Sequence, residues 1–240
     1  MKVIRDHDAL YLQEDRKQQT KESFKFIVSK TSSHLDQYHQ PRIVDVGCAT
    51  GDFLYYLKSL YPESDLTGID VMPELLERAA AEVPGAKFLQ GDVLNKETLP
   101  AGKFDAVFMI GVYSIFDDFR PCLANTLELA DRASDGMVFI FGLFNPDDVD
   151  VLVKVRSPAQ PEDAPWQSGW NCFSKTSIQH YLEELGVTSS RFHDFEIGID
   201  LPRHESDPLR SWTFRYEDGS RGIVNGATIM HHLALLEIVP

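Results

Sequence analysis

The stretch Arg42-Ile43-Val44-Asp45-Val46-Gly47-Cys48-Ala49-Thr50-Gly51-Asp52-Phe53 decides the fold of this chain. Its β-branched first half predicts a strand, the two glycines bracket a tight turn, and the apolar residues that follow recur at helical spacing. A strand, turn and helix in this order leave unpaired backbone N–H groups and the positive end of the helix dipole at the turn. We therefore expect a ligand with a carboxylate or phosphate group there.

Two classes of ligand bind at such a turn, and the spacing of the glycines separates them. The dinucleotide fingerprint is G-x-G-x-x-G, whose third glycine allows close packing of the helix. Here Ala49 takes the middle position and Asp52 the third, where a carboxylate would repel phosphate. Residues 45–51 instead resemble the first motif, D/E-x-G-x-G-x-G, of the class I S-adenosylmethionine-dependent methyltransferases. Ala49 departs from that motif, and an ordinary strand-to-helix turn is the alternative for this stretch alone.

A second strand begins at Asp65 and ends in Asp70, and Pro73 then opens a helix, since proline is favoured in the first helical turn. Asp70 follows Gly51 by nineteen positions. A carboxylate at this place can accept hydrogen bonds from both ribose hydroxyls of a nicotinamide cofactor or of S-adenosylmethionine. Its alternative role is a helix N-cap. Asp70 therefore predicts a nucleoside ligand without distinguishing the two cofactors.

Two further strand ends complete the resemblance to the methyltransferases. The third strand ends in Gly91-Asp92-Val93, and Phe104-Asp105 opens the fourth, as in the family motif F-D-x-V. By resemblance, Asp92 accepts the adenine amino group and the amide of Val93 meets the ring. Four motifs in the family's order predict a cofactor-binding core over residues 41–145. The cofactor-binding residues implied are Asp45, Gly47, Cys48, Ala49, Gly51, Asp70, Val71, Met72, Asp92, Val93 and Ile110.

The alternation of strands and helices predicts an α/β fold with a doubly wound, mostly parallel sheet and ligands at the carboxyl ends of its strands. A fifth strand is predicted over 136–142, and a later helix ends at Gly186. Residues 192–201 and 228–238 have strand patterns. The family closes a Rossmann-like sheet of seven strands with an antiparallel pair, so we expect these two segments to form that C-terminal pair in a single domain.

The composition of the chain restricts its expected partners and cellular compartment. The 240 residues are 43% hydrophobic and carry a net charge of −14, with the acidic residues spread along the chain. Nucleic acid and anionic membranes are disfavoured as partners, because phosphate binding requires a basic face. The first ten residues contain no apolar segment of the kind that a secretory signal requires, and no apolar run approaches a membrane span, so we expect neither feature. Three cysteines without C-x-x-C pairing fit a reducing compartment and no metal site, so we expect a cytoplasmic protein.

Three regions extend the minimal fold. Residues 1–40 predict an N-terminal helical cap, which commonly covers the cofactor in small-molecule members of the family, so Tyr11 and Arg16 are lid candidates. Residues 146–175 combine four prolines with large aromatics, and we expect an irregular lid insertion over the acceptor, with a homodimer contact as the alternative. Residues 208–226 have the pattern of an extra β-hairpin, whose role stays open. The predicted acceptor contacts are Trp166, Trp170, Asn171 and Tyr113.

The chemistry follows from the cofactor that the resemblance implies. Methyl transfer from a sulfonium is an in-line displacement with a good leaving group, so proximity and orientation can supply most of the catalysis. A general base is required only for a hydroxyl or carbon-acid acceptor. Many family members place histidines just after the fourth strand, where this chain has Ser114 and Ile115. The catalytic residue is therefore unknown, and the candidates are Tyr113, His193, His231 and His232, each with a structural role as the alternative.

We interpret the chain as an S-adenosylmethionine-dependent methyltransferase acting on a small-molecule acceptor. The first alternative is an NAD(P)-dependent oxidoreductase of the same fold type. The second is a non-catalytic S-adenosylmethionine-binding protein, which the absence of the usual histidine base keeps open. On one strand, adjacent His231 and His232 would point to opposite faces, so at most one of them could line a given pocket.

Overall fold

The computed structural model describes residue 12 and residues 19–187, 189–205 and 207–240. The lid candidates Tyr11 and Arg16 lie outside the described residues. The helices are α1 (Glu22–Leu35), α2 (Asp52–Leu60), α3 (Pro73–Glu82), α4 (Arg120–Leu127) and α5 (Lys175–Glu184). The strands are β1 (Arg42–Val46), β2 (Asp65–Asp70), β3 (Lys87–Gln90), β4 (Ala106–Ile110), β5 (Met137–Asn145), β6 (Lys154–Val155), β7 (Gln167–Ser168), β8 (Phe173–Ser174), β9 (Ser189–Asp194), β10 (Trp212–Arg215), β11 (Arg221–Val224) and β12 (Leu233–Val239).

The central sheet has the strand order β3-β2-β1-β4-β5-β12-β9, and the short β8 pairs with the end of β5. Strands β1 to β5 pair in parallel, whereas β12 lies between β5 and β9 and is antiparallel to both. The chain returns from the edge strand β3 to the centre at β4. The topological switch point, where such sheets bind ligands, is therefore between β1 and β4. The predicted seven-stranded, mostly parallel sheet with a C-terminal antiparallel pair is confirmed.

Helices cover both faces of this sheet, and the alternation of side chains along each strand explains why. Phe108 of β4 and Phe139 of β5 stack 5.2 Å apart between ring centroids, in a core cluster with apolar residues of α1 and α2. Their neighbours Val107 and Met109 belong to a second cluster with residues of α4 and α5. Successive strand residues point to opposite faces, so strands with apolar residues at every position require a helical layer on each side.

The two C-terminal strands differ from their predicted bounds. β9 ends at Asp194 instead of residue 201, and β12 begins at Leu233 instead of residue 228. β12 pairs at its start with Leu143 near the end of β5, and one further backbone hydrogen bond joins Phe144 to the carbonyl of His232. Met230 instead forms an isolated bridge with Val224 of the hairpin. The prediction that His231 and His232 lie on the last strand is therefore wrong, because both precede it.

The two additional segments leave the carboxyl side of the sheet. Residues 146–175 contain β6, β7 and β8, each two residues long, so the prediction that this segment lacks regular structure is wrong. The β6–β7 pair is antiparallel, and β8 adds to the sheet beside Phe144. In the second segment β10 and β11 form an antiparallel hairpin whose turn contains Gly219 in the left-handed region. Within the described part of the chain, no helix combines the length and apolar character that crossing a membrane requires.

Candidate functional site

The turn between β1 and α2 brings backbone close to a cleft. Gly47 and Gly51 both have φ of 77°, a conformation that side chains with a Cβ rarely adopt. The N–H groups of Gly47 and Cys48 donate to the carbonyl of Ile69 at 2.7 and 3.0 Å, which fixes the turn against β2. A Cβ added at Gly47 would overlap the side chain of Val112, in the loop after β4. Glycine is thus required at Gly47 by conformation and by space.

Asp70 connects this turn to the start of α3. Its Oδ2 accepts a hydrogen bond from the Ala49 N–H at 3.0 Å, and its Oδ1 accepts one from the Met72 N–H at 2.9 Å. The N-cap of α3 is Met72, so the alternative role of Asp70 as the helix N-cap is wrong. A carboxylate oxygen can accept more than one hydrogen bond, so these two backbone contacts are compatible with a role of Asp70, which lines the cleft, in ligand binding.

Asp45, near the end of β1, is a buried carboxyl group with unsatisfied hydrogen-bonding capacity. Its side chain lies in the cleft wall and is 2% exposed, and its Oδ1 has no hydrogen-bond partner among the described residues. Burial, and then the negative charge of Asp70, raise the pKa of Asp45 to about 8. A buried, unpartnered carboxyl oxygen is costly, and a cationic ligand group would satisfy it.

These residues line one cleft at the carboxyl ends of β1, β2, β3 and β4, whose open space including its mouth is about 1080 Å³. Ten of the eleven predicted cofactor-binding residues line it, and the exception is Gly51, which precedes α2. The ten are Asp45, Gly47, Cys48, Ala49, Asp70, Val71, Met72, Asp92, Val93 and Ile110. The structure thus brings the first three motifs and Ile110, at the end of β4, together at the switch point, where open α/β sheets bind ligands. The fourth motif, Phe104-Asp105, precedes β4 and lies at the opposite edge of the sheet, where Asp105 pairs with Arg42.

At the end of β3 the cleft offers one carboxylate and one amide. Asp92 Oδ1 accepts a hydrogen bond from the Leu94 N–H at 2.9 Å. The carbonyl of the buried Val93 accepts one from Asn125 at 2.8 Å, while its N–H donates to none of the described residues. An acceptor and a donor on adjacent residues match the edge of a heteroaromatic base, which presents an amino group beside a ring nitrogen.

The sequence did not indicate several residues that line the cleft. They are Lys21, Phe24, Asp52, Phe53, Ile69, Leu75, Gly91, Gly111, Val112, Ile115 and Phe116. Lys21 and Phe24 come from the start of α1, which nothing in their local pattern places beside β1. Lys21 is the one cation among the lining residues of the described chain, against four aspartates. A ligand with separate positive and negative groups would match this distribution.

Tyr113 does not reach the cleft, and the structure contradicts both of its predicted roles. Its side chain is buried, its hydroxyl donates to the carbonyl of Leu143, and its ring stacks on Phe144 with centroids 4.8 Å apart. Burial raises the pKa of the Tyr113 hydroxyl well above its ordinary value. A buried phenol that is already donating to a backbone carbonyl cannot act as a general base on a ligand in the cleft.

The three candidate histidines also lie outside the cleft lining. His193, on β9, has its Nε2 3.2 Å from a carboxylate oxygen of Glu237. His231 has its Nδ1 3.3 Å from the hydroxyl of Ser211, and burial, with the neighbouring His232, lowers its pKa to about 4. The backbone carbonyl of His232 accepts a hydrogen bond from the N–H of Phe144. The structure therefore does not place any of them against the cofactor cleft.

The predicted acceptor contacts of residues 146–175 are not brought to the cleft either. Trp166 is 58% exposed, and the guanidinium of Arg156 lies 4.9 Å from its ring centroid. Trp170 is half-buried and does not line the cleft. Asn171 is completely buried, and its amide is hydrogen-bonded at both ends within the protein. Across the described residues, no three side chains of the metal-ligating types are grouped to hold an ion.

Comparison with known proteins shows which family the sequence of the central sheet resembles. The sequence model of the methyltransferase domain family matches residues 43–136, which include all four motifs. The resemblance to class I methyltransferases that these motifs carry is confirmed. Trans-aconitate 2-methyltransferase of Agrobacterium fabrum is 24% identical over 70% of this chain and 65% of its own length, and that of Rhizobium rhizogenes is 26% identical over 58% and 50%. The chain thus spans between half and two thirds of these relatives.

Solved structures with the same fold cover nearly the whole chain. CalS10 of Micromonospora echinaspora, an amino pentose methyltransferase solved with S-adenosylmethionine, aligns with a TM-score of 0.58 and 14% identity over 100% of this chain and 99% of its own. DhpI, solved with S-adenosylhomocysteine, aligns with a TM-score of 0.53 and 13% identity over 97% and 94%. At these identities the likeness establishes the fold alone.

Proposed function

We propose that this chain, whose core is a class I methyltransferase domain, binds S-adenosylmethionine in the cleft and transfers its methyl group to a small-molecule acceptor. The observation that carries the proposal is the convergence of Asp45, the turn at Gly47, Asp70 and Asp92 on one cleft at the switch point. The names of the relatives, which act on small molecules such as trans-aconitate, support the acceptor class.

The polar groups of the cleft match the parts of this cofactor in turn. Asp45 is placed to accept the ammonium of the methionine part, and Lys21 supplies the positive charge for its carboxylate. Asp70 accepts from the ribose hydroxyls. Asp92 accepts the adenine amino group, and the N–H of Val93 donates to the ring. These assignments are proposals that rest on the chemistry of the donors and acceptors present.

A dinucleotide fits the same cleft less well. Asp52 begins α2 and lines the cleft at the helix terminus where a Rossmann enzyme binds pyrophosphate. A carboxylate at this place would repel the negatively charged pyrophosphate of a dinucleotide, whereas S-adenosylmethionine contains no phosphate. The buried Asp45 adds to the negative charge at this end. Electrostatics therefore favours the sulfonium cofactor over NAD(P).

The bound cofactor would supply an activated methyl group, and this chain's residues would orient the partners and exclude water. Ile115 and Phe116 form an apolar part of the cleft wall, and we assign the acceptor to that side. Since none of the sequence-predicted bases lines the cleft, we propose that orientation provides most of the rate enhancement. We also propose that residues 146–175 close over the acceptor as a lid, with a homodimer contact as the competing role.

Titration calorimetry tests the cofactor directly. We expect S-adenosylhomocysteine to bind the wild-type protein and NAD to bind far more weakly under the same conditions. Preferential binding of NAD would contradict the proposal and favour the oxidoreductase alternative. Turnover of a labelled methyl donor over a panel of small acceptors, including trans-aconitate, then distinguishes an enzyme from a non-catalytic binding protein.

The proposal also covers the cellular location and the partners of the protein. The net charge of −14 and three free, buried cysteines support a cytoplasmic protein without nucleic-acid partners. Electrophoretic mobility of labelled RNA and DNA should be unchanged by micromolar protein at low salt. A retarded band under these conditions would contradict the exclusion of nucleic acid. Analytical ultracentrifugation would detect a homodimer.

A further inference from the structure

Asn171 is a buried polar residue with no role in the proposed cofactor site. It is completely buried between the insertion and the loop that follows β4. Its side-chain amide donates to the carbonyl of Phe116 at 2.7 Å, and its Oδ1 accepts the N–H of Val153 at 2.7 Å. Its backbone N–H donates to the carbonyl of Ser114, also at 2.7 Å. One residue of the insertion thus holds two carbonyls of the loop, on either side of Ile115.

The same loop forms one wall of the cleft. Val112, Ile115 and Phe116 all line it, and the side chain of Val112 packs on Gly47 of the cofactor turn. Asn171 fixes the backbone at positions 114 and 116, and therefore the direction of the Ile115 side chain between them. A contiguous set of contacts leads from the insertion through the loop to the cofactor turn.

A second set of contacts supports the same connection. Asp117, the next residue of the loop, accepts hydrogen bonds from Lys154 at 2.6 Å and from Ser168 at 2.8 Å. Hydrogen bonds from Lys154 and Ser168 hold the pKa of Asp117 below its ordinary value. Three residues of the insertion, on β6, on β7 and at Asn171, thus converge on the loop. The insertion is attached to the cleft wall and not only to the sheet.

We propose that Asn171 is a positioning residue through which the insertion sets the shape of the cofactor cleft, by holding the loop of residues 111–119 against Gly47. In this arrangement the insertion acts through the loop and needs no contact with the cofactor. The proposal rests on the proposed function only where S-adenosylhomocysteine serves as the probe.

Asn225 provides a matched control. It is also buried, its amide donates to the carbonyl of Leu209 at 3.1 Å, and its Oδ1 accepts the N–H of Ala227 at 2.9 Å. The two asparagines make the same kinds of hydrogen bond, but Asn225 lies beside the hairpin and does not contact the loop. Asn171→Ala and Asn225→Ala therefore each deprive one carbonyl and one N–H of a side-chain partner, buried around Asn171 and part-buried around Asn225, and only the first releases the loop.

Two readouts test the proposal. Hydrogen–deuterium exchange should show faster exchange of residues 111–119 in Asn171→Ala and unchanged exchange there in Asn225→Ala. Calorimetry should show S-adenosylhomocysteine binding about 2- to 30-fold weaker in Asn171→Ala than in Asn225→Ala. Asn171→Asp, which retains the acceptor for Val153 but cannot donate to Phe116, should show the same direction of change.

A milder variant covers the case in which both alanine variants fold poorly. Lys154→Met removes the contacts of the ammonium with Asp117 and Ser168 and leaves Asn171 in place. Its control is Lys175→Met, which removes a comparable pair with Asp194. Lys154→Met should accelerate exchange in the loop and Lys175→Met should not. Equal exchange and equal affinity in each variant and its control would overturn the proposal. If the wild-type protein binds no S-adenosylhomocysteine, the proposed function fails, whereas loop exchange still decides the positioning role.

Discussion

The carboxyl groups of Asp45 and Asp70 stand on neighbouring parallel strands and face the same cleft, and the charge of Asp70 adds to burial in raising the pKa of Asp45 to about 8. Asp70 is held by two backbone N–H groups, whereas one oxygen of Asp45 has no partner among the described residues. At pH 7 the carboxyl group of Asp45 is therefore mainly protonated in the ligand-free protein, and a cationic group in the cleft would favour its ionised form.

The first prediction is that Asp45 makes the ligand-free protein less stable at higher pH. Its pKa in the folded protein, about 8, exceeds the ordinary value of 3.8. Protonated Asp45 therefore contributes fully to the free energy of unfolding below pH 3.8, and this contribution is lost as the pH rises to about 8. Asn cannot ionise, so Asp45→Asn should raise the midpoint of thermal unfolding at pH 8 and change it little at pH 4. Differential scanning calorimetry at the two pH values measures this.

The same substitution should impair ligand binding, because the ammonium of the ligand loses its counter-charge. In the wild-type protein at pH 7, binding should release up to about one proton from Asp45, detected as a dependence of the calorimetric enthalpy on the ionisation enthalpy of the buffer. Asp45→Asn should abolish this release. A variant that binds S-adenosylhomocysteine as tightly as the wild type would remove Asp45 from the site.

The second prediction concerns Gly47. Gly47→Val should abolish S-adenosylhomocysteine binding, since the new side chain meets Val112 and is strained at a φ of 77°. Gly85→Val separates these causes, because Gly85 has a φ of 86° but nothing within 4 Å of an added Cβ, and it does not line the cleft. It should lower stability and leave affinity unchanged. Equal affinities for the two variants would contradict the assignment of the turn.

The third prediction is that Asp70→Ala weakens S-adenosylhomocysteine binding by about 1.5–3 kcal/mol, the range for hydrogen bonds to charged groups. The structure adds that the variant also releases the N–H groups of Ala49 and Met72, so part of the loss is a looser turn. Asp65→Ala is the control, because Asp65 lies on the same strand and its carboxylate pairs with Lys87 at the surface. If the two variants bound equally well, Asp70 would not be a ligand contact.

The cofactor half of the site could be predicted from sequence because its determinants are local. A β-branched run fixes a strand, a glycine ends it, and an aspartate at a strand end falls at the same sheet edge as every other parallel strand end. Asp45, Asp70 and Asp92 each follow this rule, and all three line the cleft. The fold could be predicted for the same reason, since the order of strands and helices determines a doubly wound sheet.

The acceptor side depends on contacts between distant residues and could not be predicted in this way. Asn171 was predicted to contact the acceptor, but its side-chain amide donates a hydrogen bond to the carbonyl of Phe116, 55 positions earlier in the chain. The histidines at 231 and 232 follow a strand-like apolar pattern, yet Met230 pairs with the hairpin and only Leu233 begins the strand. No periodicity within one segment encodes which distant carbonyl or strand it will meet.

The last prediction concerns Lys21, the cation among four aspartates in the described cleft lining. Lys21→Met retains much of the apolar stem and removes the ammonium, which lies 5.4 Å from the centroid of the Phe24 ring and which we assign to the ligand carboxylate. Affinity for S-adenosylhomocysteine should fall about tenfold, and the loss should shrink at high salt, where the wild-type interaction is screened. Lys25→Met, one turn along α1, removes a surface pair with Glu22 outside the cleft and should leave affinity unchanged. The unfolding midpoints of both variants report any loss of stability from the other contacts of Lys21 and Lys25. A Lys21→Met protein that binds like Lys25→Met at every salt concentration would show that the ligand carboxylate is held elsewhere.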